Sequence, residues 1–401
     1  SVGWDEELTA SPGQAIGTRR KAISAALRLV PRCVALVPPL VALAYVHRWG
    51  REVPFWDEWD RSARLAVLAA DGTLTFADVM RTHNEHRLLF SAMVTIANVR
   101  LASWSLVGEM YVGIALSFVA YLMLVAMARQ QSRDRYTVAV LGVPLAMVVF
   151  WPAQWFNWLV GFQTQVYGFM MFSIAAVLVI AGRRRGWVAL AAAAVLANGA
   201  QLSQAGGVAI WPAVLVGLWM LGYRRRQIGA WVLVAACSLA AFLHGYAIGS
   251  PSSAGVGASL AFALAYLGGP FVGAFGDRLA LWAIVVALTG LAMVVWTMRL
   301  VIDDGRGWTR AAPWAMLVLL GLGTAALVAR NRAHLGLSYA LVSRYATPAT
   351  LVWLGLCGLC GCVIDDAARG RTRPRRAAVA ASWTVLALVV ALYLPTQQAS
   401  L

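Results

Sequence analysis

Long apolar runs, each about the length of a membrane-crossing helix and set apart by short arginine clusters, constrain this chain more than any other feature. The hydrocarbon core of a bilayer takes about 20 apolar residues in helix. Read with that ruler, the sequence predicts eleven spans, at 29–47, 102–128, 136–152, 164–182, 187–203, 206–222, 228–248, 279–299, 311–329, 345–363 and 377–395. A backbone in lipid must satisfy its own polar groups, so these runs are helices and the fold class is an all-α integral membrane protein. Composition agrees: 12% of residues are charged, about half the fraction of a soluble domain.

The net charge of +16 raises the question of nucleic acid, and its placement answers it. Arg19-Arg20-Lys21, Arg183 to Arg185, Arg224 to Arg226 and Arg371 to Arg376 lie between apolar runs. That is the positive-inside pattern of membrane insertion. A nucleic-acid-binding domain gathers its charge on one folded face instead, so no nucleic-acid partner is expected. The stretch 256–276 is apolar, but Gly268-Gly269-Pro270 would break a spanning helix. If it does not span, the segments 18–28, 129–135, 183–185, 224–226, 299–310 and 369–376 share one side, and each is arginine-rich. The expected organisation follows. Residues 1–28 form a cytoplasmic tail, unstructured over 1–17, with no cleavable signal. Residues 29–395 form the transmembrane domain, with an external loop at 48–101 and an external or re-entrant element at 249–278. Residues 396–401 form an external tail. The expected setting is the plasma (inner) membrane, multi-pass, with the active site external or periplasmic. Cys33, Cys237, Cys357, Cys360 and Cys362 all lie in apolar stretches and read as small buried hydrophobes.

Four polar constellations fall on the predicted outer side. The first loop is far longer than the other connections, and such loops are usually functional. It carries Pro54-Phe55-Trp56-Asp57-Glu58-Trp59-Asp60, three carboxylates within four residues between interfacial aromatics. Partial desolvation there would raise a carboxyl pKa toward that of a general base. The loop also carries His83-Asn84-Glu85-His86-Arg87, read as two histidines on one helix face. These support the acidic cluster, or hold a phosphate with Arg87, or bind a divalent metal with Glu85 or Asp57, the one cofactor the residues suggest; the spacing is not that of a zinc hydrolase. Amphipathic stretches at Arg61 to Ala70 and Leu88 to Val99 are expected to lie in the interface. The third group is Gln154, Trp155, Asn157, Trp158, Gln163, Gln165 and Tyr167, extended by Asn198, Gln201 and Gln204. Amides and indoles together suit a carbohydrate, and amides are costly near hydrocarbon without a purpose. The fourth is Arg330, Arg332, His334, Tyr339, Ser343, Arg344 and Tyr345, a basic cluster against the positive-inside trend. Arginine is the preferred fork for phosphate oxygens, and Arg344 opens a span.

A carboxylate pair in a long first external loop, directly after the first span, resembles the GT-C superfamily of membrane glycosyltransferases. Asp57-Glu58 matches in position and type the Asp-Glu motif of the protein O-mannosyltransferases. The layout is similar too, with amphipathic helices in the first external loop and a late external arginine near the membrane surface. His83 to Arg87 does not fit the protein mannosyltransferases, and these residues show no counterpart of the large soluble C-terminal domain of arabinosyltransferases. The resemblance therefore stops at the superfamily. It implies an inverting transferase that moves a sugar from a polyprenyl-phosphate donor to an envelope glycan, lipid or protein acceptor. Asp57 would take the acceptor proton, Glu58 or Asp60 would orient it, and Arg344, with Arg330 or Arg332, would hold the leaving phosphate. His83, Glu85, His86, Arg87, Gln154, Trp155, Asn157, Gln163, Gln165 and Tyr345 would support the site or bind sugar. Membrane lipids are the remaining partners. Two rivals stay open. A transporter or lipid flippase predicts midplane charges and an internal repeat; no clear repeat is seen, and Glu109 is the main acid well inside a span. A polysaccharide polymerase or ligase would rely more on arginine and histidine than on an acidic pair.

Overall fold

The computed structural model describes residues 12–132, 134–245, 254–272, 277–302, 307–369 and 376–400. Nearly all of it is helix. The α-helices are α1 (Pro12–Trp49), α2 (Arg64–Ala70), α3 (Phe76–Met80), α4 (Leu89–Ala102), α5 (Leu106–Gln131), α6 (Arg135–Val149), α7 (Trp155–Trp158), α8 (Thr164–Ala181), α9 (Trp187–Gln201), α10 (Ile210–Met220), α11 (Arg225–Leu243), α12 (Val256–Gly268), α13 (Asp277–Ile302), α14 (Gly307–Arg332), α15 (Ala346–Ala368) and α16 (Arg376–Ser400). Two strands of two residues, β1 (Thr82–His83) and β2 (His86–Arg87), pair antiparallel in the first loop.

Among the described residues, nine helices are long and apolar enough to cross a membrane. This is a membrane protein. The predicted spans 187–203 and 206–222 are shorter apolar helices, Trp187–Gln201 and Ala205–Met220. Fifteen residues of helix measure about 22 Å, less than the roughly 30 Å of a bilayer core. The first helix begins at Pro12, so residues 12–17 are helical and not the loose tail expected; proline is favoured in the first turn because its missing N–H has no helical partner there.

Helix starts are set by short-range chemistry. Asp134 accepts from the backbone N–H groups of Tyr136 and Thr137, capping α6. α5 has two caps. Ser105 Oγ accepts from Gly108 N–H, and Glu52, just past α1, accepts from the N–H groups of Leu106 and Val107 at 2.6 and 3.3 Å, an anion at the positive end of a helix. α15 is the central post, buried from Ala346 through Asp366. It lies against α14 because glycines face it: a Cβ on Gly355 would come within 2.5 Å of Val318.

The bundle has two chemically different ends. At one end, Arg332 pairs with Glu85, Phe162 N–H reaches Glu58, Arg87 donates to the carbonyls of Phe242 and His244, and Ser343 donates to the carbonyl of Ala153. Trp151 Nε1 donates to the carbonyl of Pro270 there too. The ends of α11 and α12 therefore lie at this end with the first loop. At the other end, Ser132 and Arg310 meet Asp365, and Arg185 meets the carbonyl of Leu221.

Candidate functional site

The acidic segment follows α1 in a strained turn. Trp56 takes φ +48°, uncommon for a bulky residue and a form of strain that gathers at functional sites. Its ring stacks on Phe55 at 4.9 Å and leans on Phe156 at 5.9 Å. Residues Glu58–Ala63 then form one π-helical turn. Wide turns of this kind recur at functional sites. Arg61, buried in that turn, donates to the carbonyls of Asp78 and Val79 at 2.9 and 2.7 Å and fastens it to α3.

The three carboxylates part ways. Glu58 points inward, only 1% exposed, and accepts from the backbone N–H groups of Phe55 at 2.8 Å and Phe162 at 3.0 Å. Burial pushes its pKa up, and the amides pull the other way. Asp57 and Asp60 point outward, with side chains 49% and 72% exposed, and meet across one imidazole. His83 Nε2 lies 3.6 Å from Asp57 Oδ1, and His83 Nδ1 lies 3.5 Å from Asp60 Oδ2. These are electrostatic contacts slightly beyond hydrogen-bond length. Asp57 is not raised as expected. The His83 ring holds its carboxyl below the ordinary range, and the more distant charges of Arg344 and His86 add to this, against partial burial. The expectation counted the aromatic neighbours and missed the cations that folding brings in.

His83 and His86 do not share a helix face. They are directly paired across the β1–β2 hairpin, whose turn uses Asn84 at φ +49°; asparagine tolerates that conformation better than most residues. The hairpin separates two jobs. His83 serves the exposed carboxylates, while His86 faces inward, its Nδ1 accepting from Ala205 N–H at 3.0 Å. Burial lowers the His86 pKa to about 4, in spite of Glu85 at 3.8 Å. Glu85 is gripped by Arg332, whose Nη2 donates to both carboxylate oxygens at 2.8 and 2.9 Å. Arg87 is likewise taken up, by the carbonyls of Phe242, Met80 and His244. Arg332 and Arg87 are thus joints between the loop and the bundle, Arg332 through its Nη2 alone. Arg330 is exposed near the end of α14.

Arg344 is placed differently. Its guanidinium lies 5.5 Å from the ring centre of Tyr339 and 5.4 Å from that of Tyr345, and donates to the Tyr339 hydroxyl. This aromatic cradle orients a cation whose charge reaches Asp57. The link is short: Phe156, which touches Trp56, donates its N–H to Ser343 Oγ at 3.2 Å, and Asn157 Nδ2 reaches the Arg344 carbonyl at 3.2 Å.

The amide group lies beneath. Asn157 Nδ2 donates to Thr347 Oγ1, which donates to Gln154 Oε1, while Gln154 Nε2 bonds the carbonyl of Val149. Gln154 and Asn157 are thereby mainly a buried network tying the 152–158 segment to α15. Asn157 Oδ1 and Gln165 Oε1 are buried acceptors with no hydrogen-bond partner among the described residues. Gln163 is buried beside them. Trp155 is exposed and, with Tyr266, Ser343 and Tyr345, lines a hollow of about 100 Å³. Sequence reasoning missed Glu52, Arg61 and Asn98, which hold the loop; Asn98 bonds the carbonyl of Ser105 at 2.7 Å and Glu109 at 3.2 Å. No local pattern marks them. Among the described residues, no three His, Cys, Asp or Glu side chains converge as a metal-binding group. No protein-family model, curated protein or solved structure matches this chain.

Proposed function

We propose that this chain is an inverting membrane glycosyltransferase of GT-C type, using a polyprenyl-phosphate-linked sugar at the end of the bundle that carries the first loop. The observation that carries this reading is the meeting of two exposed carboxylates, Asp57 and Asp60, on one histidine, within reach of a tyrosine-cradled arginine 287 positions away in sequence. An acid facing a phosphate-binding cation is what glycosyl transfer from a phosphate needs. The acceptor hydroxyl oxygen bonds to the anomeric carbon as the bond from that carbon to the phosphate oxygen breaks. The proton passes to Asp57, and the electron pair leaves on the prenyl phosphate, where Arg344 stabilises it. Fixed charge aimed at a developing anion is commonly worth several kcal/mol. Asp57 is ionised at neutral pH and so able to accept a proton, although the cations that lower its pKa also weaken it as a base. Asp60, through His83, positions it. Trp155, exposed beside Ser343 and Tyr345, supplies a ring for the sugar.

In this reading the loop end faces outward and the arginine-rich end faces the cytoplasm, with α9 and α10 completing eleven crossings and α12 re-entrant. Cysteine labelling checks that orientation. Asp71→Cys and Leu337→Cys should react with a membrane-impermeant reagent from outside, and Ser132→Cys only after permeabilisation. The reaction is tested by mass spectrometry of envelope lipids and glycans from cells with and without the chain. Deletion should remove one glycosyl substituent and leave its prenyl-phosphate donor in excess. Unchanged glycans with a redistributed lipid between leaflets would favour a flippase and overturn the proposal.

A further inference from the structure

The end of the bundle opposite the carboxylates holds a second feature that glycosyl transfer does not use. α1, α5 and α6 enclose a groove of about 650 Å³. Arg32 from α1, Arg129 from α5 and Arg135 from α6 line it, each exposed. Among the described residues, no carboxylate lines it. Nearby acids are already engaged: Asp134 caps α6, and Asp365 is held by Arg310, Arg369 and Ser132. Beyond the arginines the wall is apolar, with Leu36, Phe118, Leu122 and Val125. Leu36 and Leu122 are 45% and 50% exposed, so the groove opens sideways to hydrocarbon. From Arg129 back to Phe118 is eleven residues of continuous helix, about 16 Å. That is about half of a roughly 30 Å bilayer core, the depth of one leaflet.

We propose that this groove is a binding site for an anionic glycerophospholipid of the leaflet at the arginine-rich end. Its phosphate sits among Arg32, Arg129 and Arg135, and one acyl chain lies along α5 between α1 and α6. Three cations from three helices, with no acid among them, match a phosphodiester. The one-leaflet apolar wall matches its chain. A soluble phosphate would have no use for the wall, and a zwitterionic headgroup would bring a second cation against the arginines. Bound there, the lipid ties α1 to the α5–α6 pair at an end where Ser132, which also lines the groove, bonds Asp365 at 2.5 Å. The site does not depend on the transferase reading.

The test uses the full chain in detergent and native mass spectrometry. Phosphatidylglycerol and phosphatidylcholine of equal chain length are added in parallel, with a prenyl phosphate as a third arm. Phosphatidylglycerol should bind as a single retained adduct, favoured over phosphatidylcholine. Arg32→Gln, Arg129→Gln and Arg135→Gln should each weaken it about fivefold, the usual share of one basic residue near a membrane surface. The triple variant should lose the preference. All three positions are exposed, and an unchanged melting temperature shows that the fold survives. Val125→Trp, which fills the groove and keeps the arginines, should also lose the adduct. Equal binding of the two phospholipids, an unaltered preference in the triple variant, or full binding to Val125→Trp overturns the proposal. Tighter binding of the prenyl phosphate overturns the assignment to a glycerophospholipid.

Discussion

The two ends of this bundle use the same residue types to opposite effect. At the arginine-rich end, Asp365 and Asp366 have side chains only 1% and 6% exposed, and both are held by cations. Arg310 bridges both, Arg369 returns to Asp365 at 2.8 Å, and Ser132 donates to the same carboxylate. At the loop end, Asp57 and Asp60 are half or more exposed and touch His83 at 3.5 to 3.6 Å, leaving most of their acceptor capacity open. A closed ion cluster inside a helical bundle fixes how helices meet. An open one, held by a strained turn and within the electrostatic influence of an oriented arginine, fits the proposed meeting with a substrate. Glu58 shows the difference within one segment, since it sits beside Asp57 yet is consumed by backbone amides.

The contrast can be broken by substitution. The largest expected effect is at the closed cluster. Arg310→Met leaves two buried carboxylates short of a partner and should cost about 3 kcal/mol in an SDS unfolding titration; a loss under 1 kcal/mol would mean that the cluster is slack. Next is Glu58→Gln, which weakens two charge-assisted hydrogen bonds and should cost about 2 kcal/mol, with loop proteolysis as an independent readout. Arg344→Lys keeps the charge and loses the planar fork. It should lower sugar transfer about tenfold or more while the unfolding curve stays in place; a matching loss of stability would make Arg344 another joint like Arg332. A further effect is in pH. His86 titrates at about 4 in the fold, against its ordinary value of about 6.5. Between those values the unfolded chain takes up a proton that the folded chain refuses, so this stability is complete above about pH 6.5 and drains away toward pH 4. A melting temperature that falls on acidification in the wild type, and falls less in His86→Gln, is the expected pair of curves.

Much of this was legible in the sequence, for physical reasons that also mark the limit. Apolar runs and arginine clusters report directly on lipid, so the helices emerged with boundaries off by a few residues. Asp57 and Asp60 stood out because three acids among tryptophans are hard to explain as surface. Their environment was not legible. The shift of Asp57 depends on His83 and Arg344, and the second of these lies 287 residues away. Arg332 and Arg87 read as phosphate ligands by residue type alone. Glu85 and the carbonyls ending α11 answer that charge, and only the folded chain shows it. The histidine pair was given helical spacing because three residues apart fits a helix face, whereas Asn84 turns the chain back on itself. At the other end, Asp365-Asp366 follows a predicted span with nothing nearby to mark it; its partner Arg310 is 55 positions distant.

One measurement bears most directly on the claim that the open cluster performs chemistry. Asp57→Asn keeps the size of the side chain and removes the proton acceptor. With a prenyl-phosphate sugar donor and purified membranes, transfer should fall by roughly 10²–10⁴-fold, the usual contribution of a general base, while donor binding and the melting temperature stay near wild type. Transfer at the wild-type rate in Asp57→Asn, and equally in Asp60→Asn and Glu58→Gln, would contradict the account.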